Sequence, residues 1–412
     1  MSAAATRLRD GVIAHPVFAM LIFWLAVRLV QVFAFDWGET DVVKIWAAYA
    51  RMWSEGQIPY VDFHPEYPPA ALLLFRAPYA LAGGGEGFAP AFVVEMMLCD
   101  FAIVATFIAW WLRTRGPLEN KALWIALCIY IAQTFTICRV LYSSFDLAVT
   151  AAMFAAVYFA YRDRFILCGF LFACAVWIKL WPALLAPVCL VLVFRRGGLR
   201  STLLAAGGVA LGTAASLGLF LPRAGAAVFS FLDYHSARGL HLESTWANVI
   251  MVLHLLKRTV AQAIFEYGGV SISADAGPML AAFTTPVLLL VVLLPQLIGL
   301  RLIGGARDRD GRIGALVISA AICGMFLGSK IFSPHYLVWL TPFLLIACSR
   351  WSLNLVLLAV GALTAEMYYH YGDLMQLDVR AIALITARSL LLLGLFVWML
   401  RELWRLKPMP ER

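Results

Sequence analysis

The chain has 412 residues, 63% of them hydrophobic and only 14% charged, with a formal net charge of +8 and a mean hydropathy of +0.85. Lipid-length apolar runs recur from end to end, which excludes a soluble globular domain and marks an all-α polytopic membrane protein. The positive charge falls mainly in short loops between those runs, where Lys and Arg orient a membrane protein, so it does not point to nucleic acid.

In chain order, Arg7 and Arg9 precede an apolar run at 16–35. It is too long for a signal peptide and no small-x-small cleavage site follows, so it reads as a first retained span. Further spans are predicted near 91–112, 121–142, 146–161, 165–178, 181–194, 201–221, 277–300, 313–331, 336–349, 353–369 and 381–400, about twelve in all. Several fall short of the roughly 20 residues of a straight crossing, which predicts broken helices or helices buried in protein. Placing both termini in the cytoplasm puts the Lys and Arg surplus on the inner side; the opposite orientation puts it outside. A single membrane domain, 1–412, then carries two long extracytoplasmic segments, 36–90 and 222–276, with no internal repeat. Polar residues gather on one face, whereas transporters built from repeats place theirs at the midplane.

Within the first outer segment, Val42, Ile45, Trp46, Tyr49, Met52 and Trp53 recur at helical spacing, which predicts a helix lying in the membrane interface. Asp41 opens that helix, where a carboxylate also suits a helix N-terminus for purely structural reasons. The stretch Gly56 to Pro69 follows, with Pro59, Pro65, Pro68 and Pro69 enforcing extended backbone. Its Tyr60, Phe63 and Tyr67 are expected to anchor in the headgroup layer, and Asp62, His64 and Glu66 to be held rigidly. These three polar groups either bind a ligand or only tie the loop to itself. A half-span, AALLLFRAPYALAG, comes next.

The second outer segment carries His235, Arg238, His241 and Glu243 before an apolar helix from Thr245. Ser244 is the expected cap of that helix and Glu243 suits its positive end. Arg238 has no such account and sits beside Gly239. A turn signal at Gly268-Gly269 predicts a hairpin. Three helix breaks offer charge near the outer ends of spans: Arg139 and Asp146 around VLYSSFD, Lys179 before Pro182, and Lys330 with His335 in GSKIFSPHYLVWLTP. Charges at membrane depth face a cavity or a partner. Arg28, Glu95, Asp100, Glu366 and Arg388 are expected to pair across helices, and Asp308-Arg309-Asp310 to be a solvated turn. The eight cysteines form no C-x-x-C and share no zinc spacing with the seven histidines, so neither disulfides, a metal nor another cofactor is expected.

A carboxylate, several cations and a membrane-embedded pocket suit transfer of a group from a lipid phosphate, the carboxylate taking a proton from an acceptor hydroxyl while the cations stabilise the departing phosphate. No phosphate-binding glycine loop for a soluble nucleotide donor is present. The alternatives are a transporter or flippase of a lipid-linked or small polar substrate, and a structural subunit whose outer loops bind a protein.

The four stretches TDVVKIW…EGQIPYVDFHPEYPP, GFLFACAVWIKLWPALL, YHSARGLHLESTWA and KIFSPHYLVWLTP together resemble bacterial membrane glycosyltransferases of the GT-C fold. More narrowly, the chain resembles the polyprenyl-phosphate-mannose-dependent mannosyltransferases, a glycosyltransferase family 87-like group. The resemblance spans residues 40 to 342. It implies an inverting transferase of the bacterial plasma membrane that moves a sugar, mannose above all, from a polyprenyl-phosphate donor to a glycolipid or glycan acceptor on the extracytoplasmic face, without metal. It implies Asp41 as the base, His335 as the match to a histidine of some relatives, and Lys179, Arg238 and Lys330 as cations for phosphate. Asp62, His64, Glu66, Tyr67, Arg139, Asp146, His235 and Glu243 complete the candidate substrate contacts. Which of Asp41, Asp62 and Glu66 takes the proton stays open. Ile45 stands where relatives often carry an aromatic.

Overall fold

A computed structural model describes residues 16–34, 41–115, 120–275, 277–348 and 351–406. The chain is mainly helical. Helices α1 (Pro16–Ala34), α2 (Asp41–Ser54), α3 (Pro69–Leu81), α4 (Phe88–Arg115), α5 (Asn120–Thr136), α6 (Asp146–Tyr161), α7 (Phe165–Ile178) and α8 (Ala186–Leu217) form the first part. After α9 (Thr245–Leu255), strands β1 (Ala261–Glu266) and β2 (Gly269–Ala274) lead to α10 (Gly277–Gly299), α11 (Arg312–Gly328), α12 (Leu337–Ala347), α13 (Trp351–Tyr369) and α14 (Val379–Arg405). Five stretches (α1, α4, Trp181–Leu217, α10 and α14) are long and apolar enough to cross a membrane, and shorter apolar helices pack among them. The protein is therefore a multi-pass membrane protein.

The two spans predicted at 181–194 and 201–221 correspond to two helices joined within α8 by a break at Gly197-Gly198, where neither glycine is helical and Gly198 takes φ 66°. A left-handed residue there needs glycine. Helices α7 and α8 meet backbone to backbone. A Cβ on Gly169 would lie 1.9 Å from the Ala205 carbonyl oxygen, and one on Gly208 would lie 2.0 Å from that of Ile166. Small residues give membrane helices this close approach, where no aqueous hydrophobic effect drives them together.

The segment predicted to lie in the membrane interface, from α2 through the proline-rich stretch, packs into the protein instead. Trp46 of α2 is 2% exposed and stacks on Phe75 of α3 at 4.9 Å. Tyr60 and Phe63 are buried too, Tyr60 against Phe220 and Phe63 against Tyr49, while Tyr67 wedges among Trp46, Phe75 and Phe145. An aromatic row with 3–4 spacing fits an interface and a protein groove equally well, and the prolines turn the chain so that its rings face inward. Pro69 opens α3, at a position whose N–H is not needed by the helix.

The second outer segment has a small core of its own, built from Leu242, Ile250, Met251, Ile272, Ile382 and Ile385. β1 and β2 pair antiparallel, with Glu266 opposite Gly269. The turn falls one residue earlier than expected, at Tyr267-Gly268, with φ 45° and 67°. Two left-handed central residues are the signature of a type I′ hairpin turn. Ser244 caps α9, its hydroxyl accepting from the Ala247 N–H at 3.0 Å.

Two charge expectations change. Asp308 is fully buried, not solvated: its carboxylate accepts from the Tyr161 hydroxyl and the backbone N–H groups of Gly304, Ile313 and Gly314. It thus caps α11 from four residues upstream, and burial pushes its carboxyl up to about 6. Of the deep charges, Arg28 and Asp100 do pair, at 2.7 Å. Arg388 instead donates to the Glu243 backbone carbonyl, Glu366 approaches exposed His370 at 3.4 Å, and Glu95 Oε2 has no partner among the described residues.

Candidate active site

Three helix breaks that are distant in sequence converge on Asp146. Helix α7 ends at Lys179, whose backbone is extended (φ −156°, ψ 134°) because Pro182 prevents the helix from continuing. Asp146 opens α6, and His335 sits in a 3₁₀ turn, Pro334–Tyr336, ahead of α12. Lys179 Nζ donates to Asp146 Oδ1 at 2.8 Å, the Trp339 indole N–H donates to the same oxygen at 2.8 Å, and His335 Nε2 lies 3.2 Å from Oδ2. Asp146 is 1% exposed, so three donors are what make its burial tolerable. The ammonium also lies 4.5 Å from the Tyr336 ring and 5.1 Å from that of Trp339.

This cluster forms one wall of a cavity of about 410 Å³. Ile45 and Trp46 of α2, Glu66 and Tyr67 of the proline-rich stretch, and Arg238, His241, Gly268 and Gly269 of the hairpin region also line it. Trp181, Tyr336 and Trp339 form a stack, with centroid separations of 4.7 Å and 4.0 Å. The hairpin is fixed to the arginine loop by backbone: Leu242 N–H donates to Val270 O at 2.8 Å and Ile272 N–H to Leu240 O at 2.9 Å. The Arg238 guanidinium packs closely over this seam: a Cβ on Gly269 would lie 2.7 Å from it.

The cavity is chemically asymmetric. Glu66 supplies a carboxylate, and Tyr67 beside it is held well above the usual phenol range by burial and by that charge. Burial and the Arg238 cation push His241 down to about 3, so its imidazole is neutral at physiological pH. Lys330 donates from Nζ to the Arg238 carbonyl at 2.6 Å, and burial, then the Arg238 charge, lowers its pKa. Glu243 lies behind this wall, buried, with Oε2 lacking a partner; burial raises its carboxyl to about 7.

Of the sequence-derived candidates, Glu66, Tyr67, Asp146, Lys179, Arg238 and His335 line the cavity. Asp62 does not; its carboxylate accepts from the Ile58 N–H at 2.6 Å and ties the loop to itself. His64 is exposed outside the lining, and Arg139 covers the Tyr369 ring at 4.4 Å. Lys330 and Glu243 sit just behind the lining. The side chains of Asp41 and His235 lie outside the described residues. Sequence reasoning missed the aromatic stack and Tyr368. A signal existed, because KLW and PHYLVW each set large rings beside a charged helix break. Among the described residues, no group of three or more His, Cys, Asp or Glu gathers as a metal site.

The family model of glycosyltransferase family 87 matches residues 63–334, which include Glu66, Asp146, Lys179 and Arg238. The chain belongs to glycosyltransferase family 87. Membership makes it a glycosyltransferase, and the cavity gathers the motif residues that carried the resemblance in the sequence. The matched stretch ends one residue before His335 and leaves Asp41 outside. None of the curated proteins matches the chain.

Proposed function

We propose that this family 87 glycosyltransferase moves a sugar, mannose in the first instance, from a polyprenyl-phosphate donor to a glycolipid or glycan acceptor at the extracytoplasmic face of a bacterial plasma membrane. The chain then crosses the membrane about twelve times with both termini inside, and the cavity opens outward between the two long outer segments.

The observation that carries this reading is the gathering of Lys179, His335, Arg238 and Glu66 in the lining of one cavity. A lipid phosphate held among the cations has its departing charge stabilised where water is scarce and electrostatic interactions are strong. The acceptor oxygen attacks C1 of the sugar as the C1–O bond to phosphate breaks, and the electron pair leaves with the phosphate. A carboxylate takes the acceptor proton. Asp41 is the base in this scheme. Support comes from Ile45, one helical turn further along α2, which lines the cavity. Glu66 binds hydroxyls beside it, and the rings of Trp181 and Tyr336 give the sugar an apolar face to lie on.

The test is transfer by purified protein in lipid from radiolabelled polyprenyl-phosphate-mannose to membrane glycolipids, comparing wild type with Asp41→Asn and Glu66→Gln. Loss of turnover in Asp41→Asn with folding intact is expected. Normal transfer by that variant moves the base to Glu66, and no transfer from any polyprenyl-phosphate sugar refutes the donor class.

A further inference from the structure

Asp146 has both carboxylate oxygens committed, to Lys179 from one helix break and to His335 and the Trp339 indole from another. Its donors are not equally buried. The Lys179 and His335 side chains keep 20% and 23% of their surface, facing the cavity, while that of Asp146 keeps 2%. The His335 ring spends Nε2 on the carboxylate, and Nδ1 has no hydrogen bond among the described residues. A carboxylate that fixes one ring nitrogen and so presents the other is the orienting half of many acid–base pairs.

We propose that Asp146 is the positioning residue of the transfer site, holding Lys179 charged and His335 oriented against the phosphate of the lipid donor. The inference rests on the glycosyl-transfer reading above and adds to it a division of labour: Asp146 touches no substrate and acts only through the two groups it holds. An ammonium among Phe145, Tyr336 and Trp339 is in poor surroundings for a charge once its counter-ion is gone. Without Asp146 it sheds its proton more readily, and the departing phosphate loses its cation. The ionisable groups around the ammonium are Asp146 on α6, His335 and Tyr336 on the 3₁₀ turn, and, around the rest of the cavity, Glu66, Arg238 and His241.

The experiment measures kcat and KM for the lipid donor from about pH 6 to about pH 9 in wild type, Asp146→Asn and Asp146→Asn/Lys179→Met. For Asp146→Asn we expect kcat to fall about 100-fold at the alkaline end, with the donor KM little changed, and to recover to within about tenfold of wild type at the acid end as Lys179 regains its proton. The double variant, which has no ammonium to recharge, is expected to stay inactive at every pH. An equal loss at every pH in folded Asp146→Asn indicates a structural role and overturns the inference. Should Asp146→Asn fail to fold, Asp146→Glu, which keeps the charge and displaces it, decides: a fall in kcat with the donor KM little changed supports the inference, and wild-type turnover overturns it. Failure of the broader reading looks different, because wild type then transfers no sugar.

Discussion

The molecule holds two carboxylate–cation clusters of similar chemistry and different surroundings. In the first, Asp100 accepts from Arg28, from the Trp24 indole and from the hydroxyls of Tyr130 and Tyr142, and Arg28 spends its remaining donors on Gln31 and Thr134. Both charged side chains are 0% exposed. In the second, Asp146 holds Lys179, His335 and Trp339, but Lys179 and His335 keep about a fifth of their surface toward a cavity. A sealed network of this kind ties helices together and exposes no charged group to a ligand. An equally well-paired carboxylate whose partners remain half open supports chemistry instead. Arg28 and Lys179 are both basic residues in apolar sequence, so exposure of the partner, not the presence of the pair, distinguishes scaffold from site.

The largest expected effect strikes the sealed cluster. Arg28→Met leaves Asp100 as an uncompensated charge and should cost about 3–5 kcal/mol of stability, read as loss of the folded species in detergent; Arg28→Met/Asp100→Leu should recover most of it. If the single substitution leaves thermal stability unchanged, the two clusters are not different in kind. Next comes Lys179→Met, which should reduce transfer about 100-fold; its loss of stability should be smaller than that of Arg28→Met because Lys179 is 20% exposed to the cavity, where water can reach the site it leaves, and Arg28 is 0% exposed. Glu66→Gln should be milder, raising a substrate KM about tenfold; an unchanged KM for both donor and acceptor removes Glu66 from the site.

The smallest effect separates both clusters from Glu243, a buried carboxylate with one unsatisfied oxygen. Its carboxyl sits at about 7 in the folded protein, above the 4.5 of a free glutamate. The folded state therefore holds the proton more tightly, and its contribution to stability is present below about 4.5 and lost as pH rises through about 7. Glu243→Gln removes that penalty. Its melting temperature should exceed that of wild type by about 2–4 °C at pH 8 and match it at pH 4, in paired thermal scans. Equal melting curves at both values would place the Glu243 carboxylate in water.

Much of the scaffold was legible because apolar runs and their breaks are local properties. The hairpin at Tyr267-Gly268, the Ser244 cap and the break at Lys179 each follow from a few adjacent residues. The three breaks at Asp146, Lys179 and His335, read as facing one side, do line one cavity. What was not legible is tertiary. Nothing near Asp146 in sequence says that it will meet residues 33 and 193 positions away. Asp308 looked solvated because DRDGR is polar, yet its neighbours' N–H groups draw it inward. Tyr60 and Tyr67 looked like headgroup anchors because an amphipathic ring suits an interface and a core alike. The proline-rich stretch is rigid, as expected, but its rigidity serves to carry Glu66 and Tyr67 to the cavity on an aromatic foundation.

The glycine seam between α7 and α8 bears on how the cavity moves. Because the two backbones touch at Gly169 and Gly208, neither helix slides or rotates past the other without collision, and they respond to force as one slab. Lys179 rides on the end of that slab. Any widening of the cavity to admit a lipid must therefore be accommodated elsewhere, on the Arg238 side where a hairpin and a short loop share backbone hydrogen bonds, while the ammonium serves as the fixed point from which the opening is measured.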